Sequence, residues 1–149
     1  MTIEKLVYQP IDIRDYTVTL LSKEEYLKNK EFIPLLKDAW WLCSQGPYDS
    51  RAMYVDGGSG DIYDFGSHVR RILGMRPALK IQDCHNLVPG DKIRISGYVF
   101  TILHENLAIC DTCICRSIFD YESNNFETSY IRSYLYNWAK ENNITFKKE

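Results

Sequence analysis

No apolar run in this sequence is long. Spanning a bilayer takes about 20 consecutive apolar residues, and no segment approaches that length. Residues 1–5, Met-Thr-Ile-Glu-Lys, carry no apolar signal core either, so the expected location is the cytoplasm, that of a bacterial host if the chain is phage-encoded. A basic stripe is also missing. Eighteen Lys and Arg are scattered among 20 Asp and Glu, for a formal charge of −2. Nucleic-acid backbones are held largely through counterion release, which needs clustered cations. Nucleic-acid binding is therefore not expected, and Arg70, Arg71 and Arg76 are the one local cluster that would supply it. Five cysteines, an odd number, suit a reducing compartment better than a disulfide framework. Residues 56–61, Asp-Gly-Gly-Ser-Gly-Asp, have no Gly-Lys-Ser/Thr after them and too few acids for a calcium loop. They read as a hairpin turn, and neither repeats nor low-complexity tracts occur.

What remains is ordinary globular material rich in aromatics. A chain of 149 residues fits one domain, and at this size about 70% of the unfolded surface is buried, without help from metal or disulfide. Eleven tyrosines and three tryptophans favour strands and adhesive surfaces. Residues 15–21 read as a strand. Ser22 with Glu25 forms a capping box that starts a helix over 23–29, and Pro34 suggests a second short helix over 34–39. A buried strand over 40–44 places Trp40 and Trp41 on opposite faces. Residues 51–55 and 61–63 flank the glycine turn as a hairpin, and 64–68 reads as an exposed loop. Residues 75–81 form one further strand, with Pro77 at an edge or at the strand's beginning. After the linker 82–90, strands are expected at 92–96, 98–104, 107–110 and 113–119. Thr128 or Ser129 then caps a helix over about 130–142, whose apolar stripe is Ile131, Tyr134, Leu135, Trp138 and Ala139.

Several of these segments resemble a functionally uncharacterised domain family common in Firmicutes and their phages. Its second half carries a leucine-serine helix start, a Trp-Trp-Leu-Arg-Ser strand, a glycine hairpin and Gly-Val-Arg-Pro-Ala-Leu. The matching residues are Leu21 to Glu25, Trp40 to Ser44, the 54–62 hairpin and Gly74 to Leu79. Cys43 stands where the family usually has arginine. The family's first half is matched by Gly97 to Leu103 and by Ser129 to Asn137. The order is reversed: 1–81 corresponds to the family's C-terminal half and 91–149 to its N-terminal half. The resemblance implies an α+β, C-type-lectin-like domain in circularly permuted order, akin in shape to formylglycine-generating enzymes and phage receptor-binding tips. A dimer whose half-domains complete each other across chains would meet the same pattern. Fold likeness carries no function by itself.

Candidate chemistry is sparse. Cys110, Cys113 and Cys115, with Cys84, are a conceivable zinc set by ligand type. Against this, Cys113 and Cys115 alternate around Ile114 as small buried residues on one strand face would. No motif marks a catalytic thiol or a hydrolase nucleophile. Arg76 suggests a structural ion pair or a backbone-capping role. Many aromatics exceed what a core can hold, and aromatics with interspersed arginine make binding hot spots. The candidate binding residues are Tyr48, Tyr54, Tyr63, Phe65, His68, Arg70, Arg71 and Tyr121, with segment 120–127 exposed. The expectation is a non-enzymatic protein-binding module without cofactor, with a homodimer also open. The family's distribution suggests a phage or mobile-element protein, one that inhibits a host defence complex. A zinc- or thiol-dependent enzyme built on the cysteines is the alternative, and a glycan-binding module the second.

Overall fold

The computed structural model describes residues 16–82, 87–142 and 144 in full, and the strands β1 (Ile3–Lys5) and β2 (Gln9–Ile11) by backbone alone. The chain is α+β, with two sheets and two α-helices among the described residues. β3 (Tyr16–Thr19), β8 (Ala78–Ile81), β9 (Lys92–Ile95), β10 (Tyr98–Ile102) and β11 (Leu107–Cys110) join the first two strands in an antiparallel sheet, ordered β2-β1-β9-β10-β11-β8-β3. β4 (Trp40–Gln45), β5 (Arg51–Val55), β6 (Ile62–His68), β7 (Leu73–Met75) and β12 (Cys115–Ser117) form the second, ordered β12-β7-β4-β5-β6, with β4 and β7 parallel. Both sheets take strands from each side of the 82–90 segment: β8 pairs with β11 in the first, and β7 with β12 in the second.

Alternating side chains divide the core. Trp40 and Trp41 point to opposite faces of β4, as period-two geometry requires, and both are buried. Trp41 packs with Phe119 and donates its indole N–H to Ser117 O at 2.8 Å. Trp40 packs on the other side with Tyr26 of α1 (Lys23–Asn29). The capping box of α1 is complete: Ser22 N–H donates to Glu25 Oε1 at 2.8 Å and Glu25 N–H to Ser22 Oγ at 3.2 Å. Buried Asn29 ends that helix and accepts the His104 N–H at 2.7 Å, tying α1 to the turn after β10. Ser129 caps α2 (Tyr130–Glu141), which lies across both sheets. Ile131 and Leu135 pack on the smaller sheet's core, Trp138 and Ala139 on the larger's.

Five expectations are corrected. Residues 34–39 are not helical. The Leu36 carbonyl accepts the Gly58 N–H and the Ala39 carbonyl accepts the Gly74 N–H, so tertiary hydrogen bonds hold the segment against its neighbours, and a helix this short has too few bonds of its own to compete. The strand expected over 75–81 is two strands in different sheets, because the chain changes sheet at Arg76-Pro77; Pro77 precedes β8, which is an interior strand. The 113–119 strand shrinks to Cys115–Ser117. The loop at 64–68 belongs to β6, whose Gly66 and Ser67 are buried. Tyr134, expected in the buried stripe of α2, is 40% exposed.

Candidate binding face

The β5–β6 hairpin builds the first part of the site. Tyr54 pairs with Tyr63 and Ala52 with Ser67, so three residues of β6 (64–66) oppose one of β5 (Met53). Such a bulge needs a residue that tolerates left-handed backbone. Gly66 supplies it at φ 80°, and a Cβ there would lie 2.5 Å from Ala52 O. β6 is the edge of its sheet, and a bulge both discourages edge pairing and re-aims side chains. Phe65 is turned out to solvent, 52% exposed. The Arg51 guanidinium lies 4.4 Å over its ring and donates from Nη1 to Gly66 O at 2.7 Å, while Tyr48 packs edge-on at 5.8 Å. Tyr63 stacks at 5.1 Å on Tyr54, which is itself buried.

The 68–72 turn links this hairpin to the second part. Arg70 N–H donates to His68 Nδ1 at 3.1 Å and Arg71 N–H to His68 O at 3.0 Å, which folds the turn around buried Val69. Arg70 Nε then donates to Tyr121 O at 2.8 Å, and Arg71 sits 6.0 Å over the Tyr54 ring. Opposite stands the 120–125 loop. Asp120 accepts the N–H groups of Glu122, Ser123 and Tyr130 at 3.0 to 3.1 Å, fastening the loop to the start of α2. Its slight burial pushes the carboxyl up, but these backbone bonds outweigh that and hold it below the usual range. Buried Asn124 donates to Tyr48 O and Arg51 O at 3.0 and 2.9 Å, so the loop is stitched to the base of β5.

Between turn and helix lies an open groove of about 210 Å³. Tyr121, Tyr130 and Tyr134 line it together with Ile72, Ile118, Arg116 and Ser117. The rings tile at 5.4 and 6.3 Å between centroids. Arg116 Nη2 donates to Ile72 O at 3.3 Å. Arg70, Arg71 and Arg116 have no carboxylate partner within salt-bridge distance among the described residues.

Of the sequence candidates, Tyr48, Tyr63, Phe65, His68, Arg70, Arg71 and Tyr121 are exposed along this surface, and only Tyr54 is covered. Ile72, Arg116, Ile118, Tyr130 and Tyr134 were not among them. Tyr130 and Tyr134 stand at i and i+4 beside the buried stripe, and that spacing was a readable signal. Arg76, grouped above with Arg70 and Arg71 as a cationic patch, is fully buried and takes no part.

The cysteines do not assemble. Cys110, Cys113 and Cys115 pack into three different core clusters, so Cys113 and Cys115 share no face. Cys84 lies outside the described residues, and among the described residues no three His, Cys, Asp or Glu are placed to hold a metal. Burial pushes the Cys43 and Cys113 thiols up to about 11 and raises Cys110 and Cys115, the reverse of an activated thiol. A Lys92–Thr101–Asp111 cluster is a cross-strand strut. Lys92 Nζ donates to Asp111 Oδ2 at 2.7 Å and to Thr101 Oγ1 at 2.9 Å, and the buried hydroxyl donates to Asp111 Oδ1. No described helix is long and apolar enough to cross a membrane. Comparison with protein-family models, curated proteins and solved structures finds no match.

Proposed function

We propose that the chain is a non-enzymatic binding module that recognises a protein partner through the surface running from Tyr48 and Phe65 to Tyr121 and Tyr130. One observation carries this reading: exposed aromatic rings alternate with guanidinium groups that have no carboxylate partner among the described residues. Tyr48, Tyr63, Phe65 and Tyr121 are each more than half exposed, while Arg51, Arg70 and Arg71 stand among them. Tyrosine and arginine are the residues that most often anchor protein interfaces, because they bring large contact area and hydrogen bonds at small entropic cost. The hydrogen bonds that fix Arg51, Arg70 and Asn124 support the reading further, since a preorganised surface loses less freedom on binding. Inhibition of a host complex falls within the same proposal, since occupancy of such a surface would suffice. So does the permuted C-type-lectin-like arrangement implied by the motif order, which the mixing of strands from both segments supports.

The test is capture from lysate of the producing cell with the whole chain as bait. A stoichiometric partner should be retained by the wild type and by a Lys28→Ala control, and lost with Phe65→Ala plus Tyr121→Ala. Retention of the partner by that double variant, or no partner at all alongside turnover of a small molecule, would refute the reading.

A further inference from the structure

We infer that the tyrosine groove beside α2 takes an acidic segment of the partner, with one apolar side chain seated among the rings and its carboxylates on Arg70 and Arg116. This deepens the binding reading above and rests on it. The argument begins with size. At about 210 Å³ the groove is below the roughly 300 Å³ at which sites for drug-sized ligands begin. It matches a side chain of a docked chain better than a free metabolite. Its lining is mostly apolar or aromatic, Ile72, Ile118, Tyr121, Tyr130 and Tyr134, with Arg116 and Ser117.

Charge then selects the segment. Among the described residues no carboxylate lines the groove, whereas Arg116 does and Arg70 bonds to the backbone of the lining residue Tyr121. Both guanidiniums are oriented by backbone carbonyls, Arg116 by Ile72 O and Arg70 by Tyr121 O, so each keeps further N–H donors and its full charge for an incoming acid. Of the nearby acids, Asp120 is committed to backbone N–H groups, Glu127 faces Arg132, Glu122 is exposed beside Tyr121, and Glu141 at the end of α2 acts on Tyr134. With Arg116 in its lining and Arg70 bonded to Tyr121 beside it, the groove is complementary to a negative partner segment. Single-stranded nucleic acid is the competing anion. It favours open ring faces on which bases stack, whereas Tyr121 and Tyr130 meet at 75°, the edge of one ring against the face of the other.

The probe is a displayed random dodecapeptide library panned on the immobilised whole chain, with an oligothymidine as the nucleic-acid arm. Enriched peptides should carry two or more Asp or Glu around one aliphatic or aromatic residue. Their binding should weaken with added salt, and about tenfold or more with Arg116→Gln or with Tyr130→Ala. Both positions are exposed, and an unchanged circular dichroism spectrum and melting point will confirm folding. Enrichment of neutral or basic peptides overturns the inference. So do acidic peptides indifferent to both variants but lost with Phe65→Ala, although these leave the broader binding reading standing. Tight oligothymidine binding that Tyr130→Ala abolishes also overturns it. An empty selection overturns it too, and the lysate capture then decides the broader reading on its own.

Discussion

At the scale of single residues, Arg76 is the most exacting position. It is fully buried, donates from Nε to Cys110 O at 2.6 Å and from Nη2 to Asp111 O at 3.3 Å, and lies 4.9 Å over the Trp40 ring. Burial lowers its pKa, opposed by the nearby Cys113, Cys110 and Asp111. Nη1 has no partner among the described residues. Arg76→Leu leaves a shorter, smaller apolar side chain and strips two carbonyls of their donor, and should cost about 3 kcal/mol, read as a lower urea midpoint at unchanged slope. A cost below about 1 kcal/mol would mean those carbonyls find other donors. Of the two roles the sequence suggested for this residue, backbone capping is the one observed. Nothing local could decide between them, because the accepting carbonyls lie 34 and 35 positions away. The thiols set a pH limit by the same logic. Cys43 and Cys113 have folded-state values raised by burial to about 11. An unfolded chain ionises them near 9, so the stability they contribute is complete below that pH and is lost as pH rises from 9 toward 11. Thermal melts between pH 8 and 10.5 should fall more steeply for the wild type than for Cys43→Ala with Cys113→Ala. Parallel curves would contradict the assignment.

Elements were legible where their causes are local. The capping box at Ser22 and Glu25 marks α1 at its observed bounds, and Ser129 with a 3.6-residue stripe marks α2. The β5 and β6 strands follow from a glycine turn between β-forming residues, although β6 runs on to His68 through a bulge that no short-range pattern announces. Residues 34–39 failed because so short a helix has little stability of its own, and tertiary bonds from Gly58 and Gly74 hold the segment in another shape. That contact yields a paired prediction in the hairpin turn. A Cβ at Gly57 would fall on the Lys37 carbonyl, while one at Gly58 meets nothing within 4 Å and suffers only its φ of 90°. Gly57→Ala should therefore cost about 2–3 kcal/mol by forcing two packed segments apart. Gly58→Ala should cost about 1–2 kcal/mol of backbone strain. Equal losses in denaturant melts would show that the 36–39 segment does not brace the turn.

At the scale of the whole molecule, the α+β class follows from the mixture of helical and alternating patterns, but the sheet topology does not. Strand order depends on pairings such as Arg116 with Gly74 and Ala108 with Leu79, made across the linker by residues with no local mark of their partners. The proposed binding face has the same composite origin. Tyr48, Phe65 and Arg70 come from before residue 82, and Arg116, Tyr121 and Tyr130 from after residue 90, with Asn124 and the Arg70–Tyr121 bond joining the two. Most of the β5–β6 side of that face was readable as surplus aromatics beside arginines. Most of the groove was not, because Arg116 and Ile72 gain meaning only when β12 lies beside β7. The claim that this composite face meets the partner is tested most directly by placing the photo-crosslinker benzoylphenylalanine at Phe65, at Tyr121 and, as a control, at Leu27, which is equally exposed but lies on α1. Irradiation of the producing cells should give one adduct of common mass from Phe65 and Tyr121 and none from Leu27; an adduct from Leu27 alone, or none from either position on the face, would contradict it.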